Sequence, residues 1–357
     1  MHSPQTQRRV LLSRPDGVNR AALLHALHRG DRRALARAIT LVESSRPDHR
    51  DAAEKLIGTI LPETGNTVRI GISGPPGAGK STFIERFGLA GLALGRRIAV
   101  LAVDPASKRG GGAILGDKTR MADLARAPGA FIRPSSAGGS RGGIARRTRE
   151  AILLCEAAKF DRILVETLGV GQAETAVAEV VDMFVLILPP AGGDELQGIK
   201  RGVIELADLV LVNKADGELT AVALRTVADY ASAVGLIRPA NLEWQVPVRA
   251  ISALEGKGIR EVWDDVDRFR TALELSGAWF RRRAEQGRTA LWSEIGEALL
   301  DYFRASPGIP ERLIAVEEEV MAGTRTPTAA VRELLKPFFR QADANPTPAP
   351  SLCGDPT

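Results

Sequence analysis

Gly71-Ile72-Ser73-Gly74-Pro75-Pro76-Gly77-Ala78-Gly79-Lys80-Ser81-Thr82 is the stretch whose reading decides the fold. Gly74, four residues, then Gly79, Lys80 and Ser81 is the spacing of the phosphate-binding loop of nucleotide hydrolases. Its glycines let the backbone curl so that successive N–H groups point at an anion. The helix that follows adds its positive N-terminal end, and Lys80 adds a full charge. Ser81 is placed to put its hydroxyl on Mg²⁺. A Gly-rich turn matching by chance is the competing reading, and the flanks argue against it: Val68–Ile72 reads as a short strand, Ser81–Leu94 as a helix.

Outward from this loop, short apolar runs alternate with helical stretches. Ile98–Val103 ends at Asp104, Ile163–Val165 at Glu166, Phe184–Leu188 at Pro189-Pro190 and Leu209–Val212 at Asn213, while Val246-Pro247-Val248 leads towards Ser252. Strands that are apolar throughout and separated by helices predict an α/β fold, a phosphate-loop NTPase with a mostly parallel sheet covered on both faces. In such sheets the ligand crevice lies at the carboxyl ends of the strands, where these polar residues gather.

Ahead of the loop, Ala21–His28 and Arg32–Glu43 read as helices, with Asp31 as N-cap of the second and Arg32, Arg33 and Arg37 on a solvated face. After about Gly258 the strand signal stops. Trp263, Val266 and Phe269 begin a helical pattern, Leu291, Ile295, Leu299 and Phe303 form a second apolar stripe, and Leu313–Met321 and Thr328–Phe339 read as further helices. Most of these stripes read as ordinary core; a subunit interface is the alternative. The expected organisation is a helical arm over 1–65, a nucleotide-binding domain over 66–260, a C-terminal helical dimerisation region over 261–340 and a disordered Pro-rich tail over 341–357.

Composition narrows the chemistry. The 357 residues are 44% hydrophobic and 25% charged, and no apolar run approaches the roughly 20 residues that span a bilayer. The net charge of +5 is spread along the chain rather than blocked, which argues against a nucleic-acid partner. Cys155 and Cys353 make no disulfide framework and suit a reducing compartment. The four histidines, His2, His25, His28 and His49, all precede the phosphate loop, so the nucleotide region has none for a triad, a general base or a metal cage. The basic start, with Arg8, Arg9 and Arg14, reads as a frayed terminus in a bacterial cytoplasmic protein. A mitochondrial matrix location follows only if it acts as a transit segment.

Asn213-Lys214-Ala215-Asp216 follows an apolar strand. The Asp216 carboxylate can accept from guanine N1–H and N2–H₂, where adenine would leave it unpaired, a discrimination on the order of 10⁴-fold in sites built this way. Lys214 would lay its stem across the base and Asn213 would brace the loop. Ser252-Ala253-Leu254 fits the remaining base-contacting loop, with a backbone N–H on guanine O6, so the expected ligand is GTP or GDP. Glu166, closing its strand, can hold the Mg²⁺ water shell opposite Ser81. Asp104 and Asp117 are further candidates for that shell. Lys108–Gly112 between them reads as a nucleotide-ordered switch or as a surface loop. Ser135–Gly143 and Gly192–Lys200 read as functional loops or as linkers, and Gln172 is a candidate for orienting the attacking water.

Together these motifs carry a resemblance. Gly74–Thr82, Val103-Asp104-Pro105, Gly116–Met121, Val165–Gln172, Gly193–Lys200 and Asn213–Asp216 resemble the MeaB/ArgK family, GTPase chaperones of adenosylcobalamin-dependent methylmalonyl-CoA mutase, from about residue 20 to about 335. The resemblance implies a homodimer of the dimeric branch of phosphate-loop GTPases, with the C-terminal helices contributing to assembly. It also implies slow intrinsic hydrolysis raised by the mutase, protection of the mutase, and gating of its cobalamin loading. An adenosyltransferase is a further implied partner. Lys80 and Ser81 would bind phosphate and Mg²⁺, and Asp104, Asp117 and Glu166 would support the metal and the switches. Asp194, Glu195, Gln197 and Lys200 would lie in a switch that relays nucleotide state to the mutase. Ala106 and Ala113 stand where the family more often has Ser. The competing classes are a nickel-type metallochaperone GTPase, which needs Cys/His ligands that the nucleotide region lacks, and a small-molecule kinase, which needs an acceptor lid and a base that no motif supplies.

Overall fold

The computed structural model describes residues 20–44, 46–104, 121–136, 141–167, 173–190, 201–236 and 243–344. They fall into two compact units, Met1–Ala290 and Leu291–Thr357.

The first unit is built on seven strands. In chain order they are β1 (Val68–Ser73), β2 (Ile98–Asp104), β3 (Ala130–Ser136), β4 (Arg162–Thr167), β5 (Met183–Leu188), β6 (Leu209–Val212) and β7 (Val248–Ala250). They pair in the order β3-β2-β4-β1-β5-β6-β7, every pair parallel. β1, β4, β5 and β6 are buried at every position, as two-sided coverage demands.

The residues alternate between two cores. Val68, Ile70, Ile72, Ile98, Val100 and Leu164 face one core, with helices α4 (Lys80–Ala93), α5 (Ala122–Arg126) and α10 (Ile259–Leu275). Ala99, Leu101, Val103, Ile163 and Val165 face the other, with α1 (Arg20–His28), α2 (Arg32–Glu43), α3 (Pro47–Ile60), α6 (Arg141–Ala157) and α7 (Ala173–Ala178). Asp31 caps α2 as expected: its Oδ1 accepts from Arg33 N–H at 2.7 Å and Ala34 N–H at 3.0 Å. Those bonds, Ala34's first, hold its carboxyl below the usual range. Arg32, Arg33 and Arg37 are exposed, as the solvated-face reading expects, and from that face the Arg32 guanidinium also donates to the carbonyls of Ala125 and Ala127 at the end of α5. The helices α8 (Arg201–Ile204) and α9 (Thr220–Gly235) complete the layers beside β6.

Two strands differ from expectation. β3 was not anticipated, because Arg133 and Pro134 interrupt its apolar run; it is an edge strand, where a residue without an N–H is tolerated. The expected strand at Val246 begins only at Val248, Pro247 instead accepting from Val210 N–H through its carbonyl at 3.0 Å.

The amino edge of the sheet is closed by aspartates. Asp182 accepts from Arg69 N–H at 2.8 Å, and Asp208 from Phe184 N–H at 2.9 Å. Helix α11 (Ala278–Ala305) places two consecutive arginines on them. Arg282 makes a bidentate pair with Asp208 at 3.2 and 3.0 Å, and Arg283 pairs with both oxygens of Asp182 at 2.7 Å. Arg283 also donates to Thr67 O at 2.8 Å, and its guanidinium lies over the Trp279 ring, 4.7 Å from the centroid.

The boundary between the units falls inside α11, so α10, with Trp263 stacked on Phe87 at 4.3 Å, belongs to the first unit. The second unit contains α12 (Ile309–Met321) and α13 (Pro327–Ala344), joined by Val316, Ala330 and Leu334. Arg325 bridges Glu319 and Glu333 within it. The Leu291 stripe departs from the core reading in part: Leu291 is 59% and Leu299 62% exposed, whereas Phe303 is half-buried against Val316, Ala330 and Leu334. The last helix runs past residue 340 to Ala344. Among the described residues no helix is long and apolar enough to cross a membrane.

Candidate functional site

The phosphate loop connects the central strand β1 to α4, whose first residue is Lys80. Gly74 has φ +149°, and a Cβ there would stand 2.0 Å from the Ile187 carbonyl oxygen of β5. Only glycine permits this approach of two backbones. Gly79, at φ +88°, is the N-cap of α4; a Cβ there would meet Asn213 Nδ2 at 2.4 Å. The loop thus threads between β5 and the residue that ends β6. Pro75 is half-buried, Pro76 and Gly77 form the exposed crest, and Ala78 is buried beneath them. Lys80 is buried, and its Nζ donates to the carbonyls of Gly74 at 2.8 Å and Pro75 at 3.2 Å. Its charge is thereby held within the curl of the loop. The first turn of α4 carries no acidic residue of its own to offset the positive end of the helix. Ser81 is half-buried and Thr82 exposed.

Glu166 lies on β4 between Ile72 of β1 and Ala102 of β2. It shares the strand face of Leu164, the face that α4 covers, and is 1% exposed. Ser81 Oγ donates to its Oε1 at 3.2 Å. Two cis oxygens of an octahedral Mg²⁺ shell also stand on the order of 3 Å apart, and both groups are hard oxygen donors, so the pair fits that ion. Asp104 ends β2, the neighbour of β4 on its other side. Thr167, beside Glu166, donates through Oγ1 to Ser73 Oγ at 2.9 Å and ties the two strand ends under the loop. No sequence motif pointed to that pair, since its partners lie on different strands.

Asn213 joins the phosphate loop to the base loop. It is 2% exposed; its Nδ2 donates to Ala78 O at 2.8 Å and its Oδ1 accepts from Ala253 N–H at 2.9 Å. Lys214 has a positive φ of 62° and an exposed side chain, and Ala215 N–H donates to Ile251 O at 2.9 Å. Asp216 is half-buried and accepts a short hydrogen bond from Ser252 Oγ, which in turn accepts from Glu255 N–H at 3.1 Å. Ser252 and Ala253 are buried and Leu254 is exposed. Among the described residues, Gly74–Thr82 follows β1, Glu166 lies near the end of β4, Asn213–Asp216 follows β6 and Ser252–Leu254 follows β7, all at the carboxyl ends of the strands. Asp117, Gln172, Asp194, Glu195, Gln197 and Lys200 lie outside the described residues. Cys155 is buried in the core of α6, its thiol pushed well up by burial, and takes no part in this crevice.

Residues 35–308 match the family model described as Methylmalonyl Co-A mutase-associated GTPase MeaB. The chain belongs to the MeaB family. It is therefore a GTPase, and guanine-nucleotide binding comes with that membership. This MeaB-family GTPase is 48% identical over 326 residues to the mitochondrial methylmalonic aciduria type A homolog of Mus musculus, covering 88% of this chain and 79% of that one. It is 45% identical over 321 residues to GTPase ArgK of Escherichia coli K12, covering 89% and 97%. Among solved structures, the crystal structure of LAO/AO transport system kinase matches with a TM-score of 0.73 and 38% identity, over 92% of this chain and 100% of that one. The α/β fold expected from the alternating strands is thus observed and shared.

Proposed function

We propose that this MeaB-family GTPase is Mg²⁺-dependent, protects an adenosylcobalamin-dependent acyl-CoA mutase of the methylmalonyl-CoA mutase type and gates its cofactor loading. The observation that carries the nucleotide half of this reading is the pair of hydrogen bonds that the Asn213 side chain makes to Ala78 and Ala253. It makes one rigid piece of the loop that takes phosphates and the loop that takes the base. The mutase half rests on the family description and on the similarity to methylmalonic aciduria type A homologs.

In the proposed mechanism Lys80 and the N–H groups opening α4 take the phosphate charge, and Asp216 accepts from guanine N1–H and N2–H₂. The Lys214 stem covers the base. Ser81 and Glu166 would hold Mg²⁺ with Asp104 and Asp117 in support, and the bound ion would neutralise charge developing on the phosphates. Gln172 would orient the attacking water. Asp194, Glu195, Gln197 and Lys200 would relay nucleotide state, so hydrolysis is slow until the partner completes the site. The exposed apolar side of α11 suits a homodimer contact.

The test is a pull-down for acyl-CoA mutase subunits with and without a non-hydrolysable GTP analogue. Capture that depends on nucleotide is expected, and absence of capture in both states would end the chaperone reading. The base assignment has its own test: Asp216→Asn should weaken GTP binding and favour xanthosine triphosphate, and an unchanged preference by calorimetry would refute it.

A further inference from the structure

A second bridge joins the nucleotide-binding elements, farther along α4. Arg86 is exposed on that helix, and its Nη2 donates to the carbonyl oxygen of Leu254 at 3.1 Å. At 1.5 Å rise per residue it stands about 9 Å beyond Lys80 along the axis, roughly the length of a nucleoside. One helix therefore carries a phosphate-binding lysine at its start and an arginine on the base loop further on.

The base loop needs such a contact. The Leu254 side chain is 67% exposed and Glu255, Gly256 and Lys257 are exposed too, so apolar packing does not hold this stretch. On its inner side Ala253 N–H is held by Asn213, and Ser252 N–H donates to Lys257 O at 3.0 Å. The peptide unit between Leu254 and Glu255 is fixed at both polar atoms: its N–H donates to Ser252 Oγ at 3.1 Å and its C=O accepts from Arg86. A peptide plane held at both ends has little freedom to rock. Its orientation sets that of the N–H groups immediately before it.

We propose that Arg86 is a positioning residue for guanine recognition, holding the Ser252–Leu254 backbone so that an N–H of this loop meets O6 of the base. This rests on the guanine reading above. Arg86 touches no substrate in this account; it acts through the loop. Arg86 makes no bond to Asp216 and meets the Ser252 hydroxyl only through the Leu254–Glu255 peptide, so the N1–H and N2–H₂ contacts should suffer much less than the O6 contact.

The experiment measures binding of GDP, IDP and 6-thio-GDP to the full chain and to Arg86→Met, which keeps the stem and removes the donors. IDP keeps O6 and lacks the 2-amino group; 6-thio-GDP keeps both donors and replaces O6 by a poor acceptor. Arg86→Met should weaken GDP and IDP by about three- to tenfold, the range of one exchanged hydrogen bond, and 6-thio-GDP by less than about twofold. Arg86→Lys, which keeps a charged donor, should recover part of the GDP loss, and melting of the unliganded chain should not change. Equal weakening of all three ligands, no weakening of any, or Arg86→Lys behaving as Arg86→Met would overturn the assignment. If Asp216→Asn alters base preference as expected while Arg86→Met changes nothing, this inference fails alone. If Asp216→Asn has no effect on preference, the guanine reading fails first.

Discussion

Replacing Asn213 by Ala separates the stability of the site from its organisation. The side chain is 2% exposed and holds two buried partners, the Ala78 carbonyl at 2.8 Å and the Ala253 N–H at 2.9 Å. Each buried group left without a partner costs about 1–3 kcal/mol, so a dry site would lose about 2–6 kcal/mol. Both groups border the ligand crevice, and water entering there brings the expected loss to about 2–3 kcal/mol. Urea unfolding of the unliganded chain should show this as a lower midpoint with an unchanged slope. GDP affinity should fall by roughly tenfold or more, because phosphate and base loops would then have to be ordered separately on binding. Asn213→Asp keeps the acceptor for Ala253 but sets a carboxylate oxygen against the Ala78 carbonyl and near the phosphates. It should bind GDP worse than the Ala variant. A loss below about 0.5 kcal/mol, the scatter of neutral substitutions, with GDP binding intact would show that Asn213 is not the joint between the loops.

Gly74→Ala should cost about 3 kcal/mol or more and abolish nucleotide binding, since its Cβ would lie 2.0 Å from the Ile187 oxygen at φ +149°; an unchanged melting temperature would contradict this backbone approach. Arg283→Met should lower stability by about 3 kcal/mol by leaving the buried Asp182 carboxylate with Arg69 N–H alone. Adding Asp182→Asn should recover part of that loss, and additive losses in denaturant unfolding would refute the pairing account. The Glu333 carboxyl is held below the usual range by the hydrogen bond from Arg312 and the charge of Arg325. A lowered folded-state pKa gives stability that is present above the ordinary Glu value and is lost as pH falls through the folded one. Between about pH 5 and pH 3 the parent chain should therefore lose stability more steeply than Glu333→Gln; equal slopes would remove the effect.

The parts of the site that lie within one short stretch were legible before any coordinates. Gly74–Thr82, Asn213–Asp216 and Ser252–Leu254 are local patterns whose flanking strands and helices have strong periodicity, and they stand where the strands end. The joints between stretches were not legible, because they depend on strand order. Glu166 meets Ser81 only because β4 lies beside β1, and Arg86 reaches Leu254 across 168 positions of sequence. β3 was hidden by Pro134, which breaks the apolar pattern yet suits an edge. The stripe from Leu291 to Leu299 shows the opposite limit: periodicity reveals that a helix has an apolar side, not whether that side meets its own chain.

The adjacent arginines on α11 set a condition on how that helix is written. Arg282 and Arg283 reach Asp208 and Asp182, which precede the neighbouring strands β6 and β5, and they do so at one rotational phase of the helix. Each residue turns an α-helix by about 100°. One residue inserted or deleted between Ala278 and Arg282 would swing both guanidinium groups off the sheet edge together, so the segment tolerates substitution far better than any change of length. Insertions for tags or probes belong elsewhere.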